Sequence, residues 1–207
     1  MSAQVIKLGE GYYFLKINNL MQENQLNEIW EEINFLSYRT KFNFDTNTAR
    51  YKNGELKSNK VGIWLDDAYA ERKFSNYFKY YKNWLTDEAS QNLLSTSLFW
   101  RQLFHCNSDS TLLSYYEDGK SYDEHEDTSR FTQLFWTCKQ PKKFKGGQLE
   151  FTDFNYEIEI EDNTMILFPS WFRHRVKPVI LEEKTPDDQD KFFCNGRYVF
   201  TTFYAGR

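Results

Sequence analysis

Proline and glycine are scarce in these 207 residues, four and nine respectively, and no tract is dominated by a few residue types. That excludes collagen-like and low-complexity chains and argues against disorder. Cysteine is scarcer still. Cys106, Cys138 and Cys194 are an odd number at spacings that match neither a disulfide framework nor the paired CxxC of a structural zinc site, so a reducing compartment is expected. Excess positive charge is also missing: the net charge is −4 and the pI is near 5.5, which gives no electrostatic footprint for nucleic acid. No apolar run reaches the length of a membrane span, and "MSAQVIKLGEGYY" lacks the basic start and apolar stretch of a secretory signal. The expectation is a cytoplasmic protein with no nucleic-acid or membrane partner and a small or peptide-like one instead. Its oligomeric state stays open.

What the chain has in abundance is aromatic bulk, 19% of its residues, enough to fill a core and line a pocket. No repeat is visible, and the expectation is a single domain over residues 1–207. "YYFLKI" reads as a strand, and "MQENQLNEIWEEINFL" puts Leu26, Ile29, Trp30, Ile33 and Leu36 on one helical face. The spacing of Phe74, Tyr77, Phe78, Tyr81 and Trp84 predicts a second helix from Asp67 to Leu85. Residues 41–60 are polar and aperiodic, with a turn signal at Asn53-Gly54; a loop of that length over residues 40–60 suggests a mobile lid.

From Ser97 the period becomes strand-like. Strands are expected at Leu98–Phe104, Thr111–Tyr116, Tyr122–Asp127, Phe131–Cys138, Gln148–Phe151, Tyr156–Ile160, Met165–Phe168, Arg173–Ile180 and Arg197–Tyr204. Helices followed by such a run predict an α+β fold: helical support through residue 96 packed on a jelly roll, or double-stranded β-helix, over 97–207.

The chain has three histidines, and one sits among six carboxylates in "YEDGKSYDEHED". On an extended strand, residues i and i+2 share a face, so His125 and Asp127 converge. They offer two of the three donors of a 2-His-1-carboxylate metal site. His174, in "MILFPSWFRHRVKPV", comes late enough for intervening strands to return the chain beside them. Arg197 opens an aromatic, β-branched strand with a fork suited to a carboxylate. His105-Cys106 faces opposite sides of any strand and reads as structural.

These motifs together resemble the prolyl-4-hydroxylase-like branch of the Fe(II)/2-oxoglutarate-dependent dioxygenases. Tyr116-x-x-Gly119-x-x-Tyr122-x-x-His125-x-Asp127 is similar to that family's iron strand, "GGQLEF" to its Gly-Gly strand and "FPSWFRHRVKPV" to its distal-histidine strand. The resemblance covers roughly Leu98–Tyr204, with a looser match through "SNKVGIWLDD". It implies Fe(II) on His125, Asp127 and His174, and 2-oxoglutarate with its C5 carboxylate on Arg197. It also implies O2 as oxidant and ascorbate as an auxiliary reductant. The presence of Asp127 implies hydroxylation rather than halogenation, with release of succinate and CO2, and the substrate class implied is a peptide or protein, a peptidyl proline first, with small molecules as an alternative. Two departures stand out. The gap before Arg197 marks "LEEKTPDDQDKFFC" as an insertion, expected to be a polar surface loop. Where relatives often carry a tyrosine that contacts 2-oxoglutarate, this chain has Phe135 and Trp136, so that hydrogen bond is either absent or supplied by Tyr116, Tyr122 or Thr137. A cupin-like metal-binding jelly roll for a small metabolite or sugar, without 2-oxoglutarate, is the alternative.

Overall fold

The computed structural model describes residues 1–39, 49–95, 97–182 and 195–206. The chain starts with a hairpin, β1 (Ser2–Gly9) and β2 (Tyr12–Asn18), and continues into α1 (Glu23–Arg39). β3 (Val61–Trp64) runs directly into α2 (Leu65–Ala68), and three further short helices follow: α3 (Asn76–Tyr80), α4 (Glu88–Ser95) and α5 (Leu98–Arg101). The remaining strands are β4 (Ser108–Tyr116), β5 (Tyr122–His125), β6 (Phe131–Thr137), β7 (Phe144–Gly146) and β8 (Leu149–Phe151), then β9 (Tyr156–Ile158), β10 (Thr164–Pro169), β11 (His174–Val176), β12 (Val179–Leu181) and β13 (Arg197–Ala205).

Seven strands form a sheet in the order β1-β2-β10-β6-β13-β4-β3, and β5-β11-β8-β9 form a second. The two pack face to face as a double-stranded β-helix. Alternation along each strand divides the core. Phe131, Phe135, Met165, Leu167 and Phe200 point to the helices, while Leu134, Trp136, Ile166, Phe168 and Val199 point to the smaller sheet. Central strands β6 and β10 are therefore buried at every position. The expected α+β jelly roll is the fold observed.

A buried polar side chain joins the helical layer to the sheet. Gln133 of β6 donates to the Tyr81 carbonyl at 3.0 Å and the Tyr77 hydroxyl at 3.2 Å, and it accepts from Trp84 Nε1 at 2.9 Å and the Tyr204 hydroxyl at 2.8 Å. All four of its hydrogen-bonding positions are filled in a site that excludes water.

Four expectations differ from the structure. Leu98–Phe104 is α5 and a 3-10 turn: Ser97 caps Trp100 N–H, and the buried residues Trp100 and Leu103 are three apart, a helical spacing. The helix expected over 67–85 is broken, because Ser75 is extended and caps a new helix, α3; Phe74 is left 60% exposed. Residues 1–96 are not only helical, since β1, β2 and β3 belong to the larger sheet. Arg173–Ile180 is two strands, β11 and β12, interrupted at Lys177-Pro178 where proline has no amide for the ladder. Residues 40–48 of the expected lid and most of the "LEEKTPDDQDKFFC" insertion lie outside the described residues. Among those described, no helix is long and apolar enough to cross a membrane.

Replacing Gln133 with leucine strands the buried Trp84 and Tyr204 donors. The expected cost is about 3 kcal/mol, read as a lowered urea midpoint at unchanged m-value. A midpoint equal to wild type would show that the four bonds add nothing net.

Candidate metal centre

The smaller sheet sets the centre through one register: β5 and β11 are antiparallel with His125 directly opposite His174. Their rings lie 4.2 Å apart, centroid to centroid. Asp127 is two residues beyond, past the end of β5, where its N–H donates to the Ser170 carbonyl at 3.0 Å. One oxygen of its carboxylate is 3.7 Å from His125 Nε2 and the other 3.7 Å from His174 Nε2. Donor atoms of the three residues all fall within 4.8 Å of one another, a spacing at which they could share one ion.

Backbone carbonyls aim both rings. His125 Nδ1 lies 2.8 Å from the Asp123 carbonyl and His174 Nδ1 2.8 Å from the Phe172 carbonyl, in each case two residues back. Nδ1 therefore carries the proton and Nε2 presents its lone pair to the centre. Tyr122 stacks on His125 at 3.7 Å. Burial pushes the His125 imidazolium down to about 2, with the neighbouring His174 a smaller cause, so the ring is neutral and ready to ligate. Asp127 is oriented by Thr132, whose hydroxyl donates to it at 2.6 Å and lies 2.9 Å from the Ser170 hydroxyl. The composition of this centre, two neutral imidazoles and one carboxylate on one side, suits a divalent first-row metal with positions left for other ligands.

A cavity of about 690 Å³ extends from the three side chains to Arg197. Arg197 is 1% exposed and pairs across strands with Tyr116, whose ring centroid is 4.7 Å from the guanidinium carbon. The Tyr116 phenol and the guanidinium also act on each other electrostatically. Among the described residues, Arg197 Nε and Nη1, and the Nε1 of Trp136, have no hydrogen-bond partner. Buried N–H groups of this kind are rare unless a ligand meets them. Burial lowers the Arg197 pKa from its usual value, yet at neutral pH it is a cation. Gly147, at φ +70°, lies against it: an added Cβ would meet Arg197 Cδ and Val179 Cγ2 at 3.0 Å each.

Of the residues expected to contact a cosubstrate, Tyr116 and Tyr122 line this cavity. Thr137 does not. It has the parity of Phe135 on β6, opposite to Trp136, and its hydroxyl donates to Asp162 at 3.2 Å. Trp136 holds the position near Arg197 instead, at 5.9 Å. Lys60, Thr132 and Ser170 went unrecognised in the sequence, where isolated polar residues beside apolar strands carry no motif. Residues 49–60 cover the mouth: Ser58 bridges to Tyr122, Asp123 N–H donates to the Lys57 carbonyl at 2.9 Å, and the Tyr51 hydroxyl donates to Asp123 at 2.6 Å.

A jelly roll that brings two histidines and an aspartate together in one cavity with a buried guanidinium is an arrangement that could serve a non-haem metal oxygenase. The comparisons agree. Residues 111–205 match the model of the 2OG-Fe(II) oxygenase superfamily. A PKHD-type hydroxylase of Gloeothece citriformis is 31% identical over 46% of this chain, and the matched part spans only 48% of that relative. Another, from Rippkaea orientalis, is 28% identical over 80% of this chain and 72% of its own length. The crystal structure of a Pseudomonas putida prolyl-4-hydroxylase superposes with a TM-score of 0.63 at 15% identity, covering 96% of this chain and 95% of that one. Residues 111–205 thus resemble the 2OG-Fe(II) oxygenase superfamily, and the chain shares the fold of the prolyl-4-hydroxylase structure.

Alanine at His125 or His174 is expected to abolish tight Mn(II) binding, read by calorimetric titration, and Thr132→Val to weaken it about tenfold by freeing the Asp127 carboxylate to rotate. Unchanged affinity in both alanine variants would place the metal elsewhere.

Proposed function

We propose that this chain is an Fe(II)/2-oxoglutarate-dependent dioxygenase that hydroxylates a C–H bond of a peptide or protein, with a peptidyl proline the first substrate to test. The observation that carries the reading is Arg197: a buried guanidinium with N–H donors that no described residue meets, at the end of a cavity that starts at the three candidate metal ligands. The match of residues 111–205 to the 2OG-Fe(II) oxygenase superfamily model supports the same cofactors.

In this reading His125, Asp127 and His174 hold the metal, and Arg197 binds the distal carboxylate of 2-oxoglutarate. Bound together, Fe(II) and 2-oxoglutarate supply the oxidising chemistry, in which O2 yields succinate, CO2 and one oxygen atom for the substrate C–H bond. The chain's own residues do the positioning. Tyr116 keeps the guanidinium in place through its ring, and Trp136 presents an N–H beside it. Leu134, Leu149, Val176 and Val199 line the cavity with apolar surface, which limits water around the carboxylate and strengthens its pairing with Arg197. The neutral, backbone-oriented histidines fix where the metal stands relative to that anchor. Residues 49–60, which lie over the mouth, are proposed to move as a lid when a substrate enters. The free thiols of Cys106 and Cys138 support a reducing, cytoplasmic setting.

Calorimetric titration of 2-oxoglutarate into the Mn(II)-loaded protein under argon tests the reading. Arg197→Ala is expected to keep metal affinity and lose about 2 to 5 kcal/mol of 2-oxoglutarate binding, as for removal of one partner of a buried charge pair. Arg197→Lys is expected to rescue part of it, having a charge but no fork. Absence of binding by wild type would favour the cupin-like alternative. Peptide hydroxylation is read separately, as a gain of one oxygen mass on a proline-rich array with Fe(II), ascorbate and 2-oxoglutarate.

A further inference from the structure

Three aromatic side chains that stay exposed meet at one place. Tyr12 opens β2, Phe99 lies in α5 and Trp171 stands in the turn before β11, and they are 41%, 38% and 45% exposed. The Trp171 ring is 5.9 Å from that of Tyr12 and 6.4 Å from that of Phe99, centroid to centroid, so three distant segments build one surface. Leu98, beside Phe99 in the sequence, is 78% exposed. Buried rings brace the patch from beneath: Phe131 lies 5.1 Å from Phe99 and Phe172 4.8 Å from Trp171. Apolar surface held open on a packed support, and built of the residue types that anchor interfaces, suits the docking of another molecule.

The patch borders the cavity. Trp171 follows Ser170, whose carbonyl accepts the Asp127 N–H and whose hydroxyl lies 2.7 Å from that of Ser129, a residue of the cavity wall. Arg130 comes next in the chain, and its guanidinium donates to Gln102, one residue past α5, at 2.9 Å. Charge around the rings is uneven. Arg173, beside His174, is paired with Asp153 and Glu124. Arg101 in α5 and Arg130 are exposed and, among the described residues, form no ion pair. The side of the patch toward α5 is therefore cationic.

We propose that this surface docks the substrate of the cavity beside it: a polypeptide segment that brings aromatic or aliphatic side chains to Tyr12, Phe99 and Trp171 and acidic ones to Arg101 and Arg130, a short distance along the chain from the group that enters the cavity. This rests on the hydroxylase reading above. It narrows the substrate class to a protein or peptide, because a small molecule inside the cavity does not reach the rings, and complementary charge selects which segment is held.

The probe is a fluorescein-labelled peptide in which an arm of Asp, Glu, Phe and Leu adjoins Ala-Pro-Ala, made in two versions with the arm on either side; the control carries an arm of Gly and Ser. Binding to Mn(II)-loaded protein under argon is read by anisotropy, and cover over the cavity mouth by the relaxation rate of water protons at the Mn(II). One version is expected to bind about tenfold or more tighter than the control and to slow the relaxation. Tyr12→Ser, Phe99→Ser and Arg130→Glu are each expected to lose about tenfold in peptide affinity, as for removal of an interface anchor, with 2-oxoglutarate affinity unchanged. Arg130→Glu is expected to regain affinity for an arm with Lys in place of Asp and Glu. Equal binding of acidic and control arms, or wild-type affinity in all three variants, would overturn the proposal. So would tight binding that leaves the relaxation rate unchanged, because the partner is then not the substrate of this cavity. A wild-type dimer in sedimentation equilibrium that Phe99→Ser dissociates would also overturn it, the occupant being a second copy of the chain. Titration of 2-oxoglutarate into wild type reads the hydroxylase reading by itself: no binding there defeats that reading and the substrate assignment with it, whereas failure of the arm alone leaves it standing.

Discussion

The pairing of β5 with β11 is the constraint on which the site depends. Side chains alternate along a strand, so a slip of one residue would turn one of the two histidines to the opposite face. The register that sets His174 against His125 is held from both sides, by the ladder to β8 and by the Asp127 N–H bonded to the Ser170 carbonyl. The same turn that supplies the Ser170 carbonyl places its hydroxyl beside Thr132. Backbone geometry therefore positions all three ligands, and β6 in the opposing sheet steadies the carboxylate.

The larger sheet contributes the other half of the site. Arg197 and Tyr116 are cross-strand neighbours on β13 and β4, and Trp136 joins them from β6. Packing two sheets face to face creates the low-dielectric interior in which a guanidinium is a strong and selective anchor. The helices on the far side of this sheet close its second face, and the filled hydrogen-bonding positions of Gln133 bind the two layers together. With the candidate metal ligands on one sheet and the buried guanidinium on the other, the separation between the sheets sets the distance that a molecule meeting both would span.

Much of this was legible in the sequence for definite physical reasons. His125 and Asp127 share a face by strand periodicity, and His174 lies on an apolar strand that could only be interior. Arg197 opens a strand whose aromatic and β-branched neighbours are buried. The helical reading of Phe74 to Trp84 failed because a capping serine at position 75 outweighs an apolar spacing, and Leu98–Phe104 failed because clustered aromatics fit a short helix as well as a strand. β1 has weak alternation because it is an edge strand with partly exposed sides. Thr132 was invisible for a different reason: its role comes from pairing between distant segments, and threonine does not signal its partner locally.

Gly147 has a consequence for selectivity. Its missing side chain lets Arg197 lie back against the backbone and Val179, so the reach from guanidinium to metal centre is set by the absence of a single carbon atom. Under the proposed function the position acts as a ruler for diacids. In that reading a chain one methylene shorter than the matching one would leave either its chelating end or its distal carboxylate short of a partner, and would be rejected without any group dedicated to excluding it.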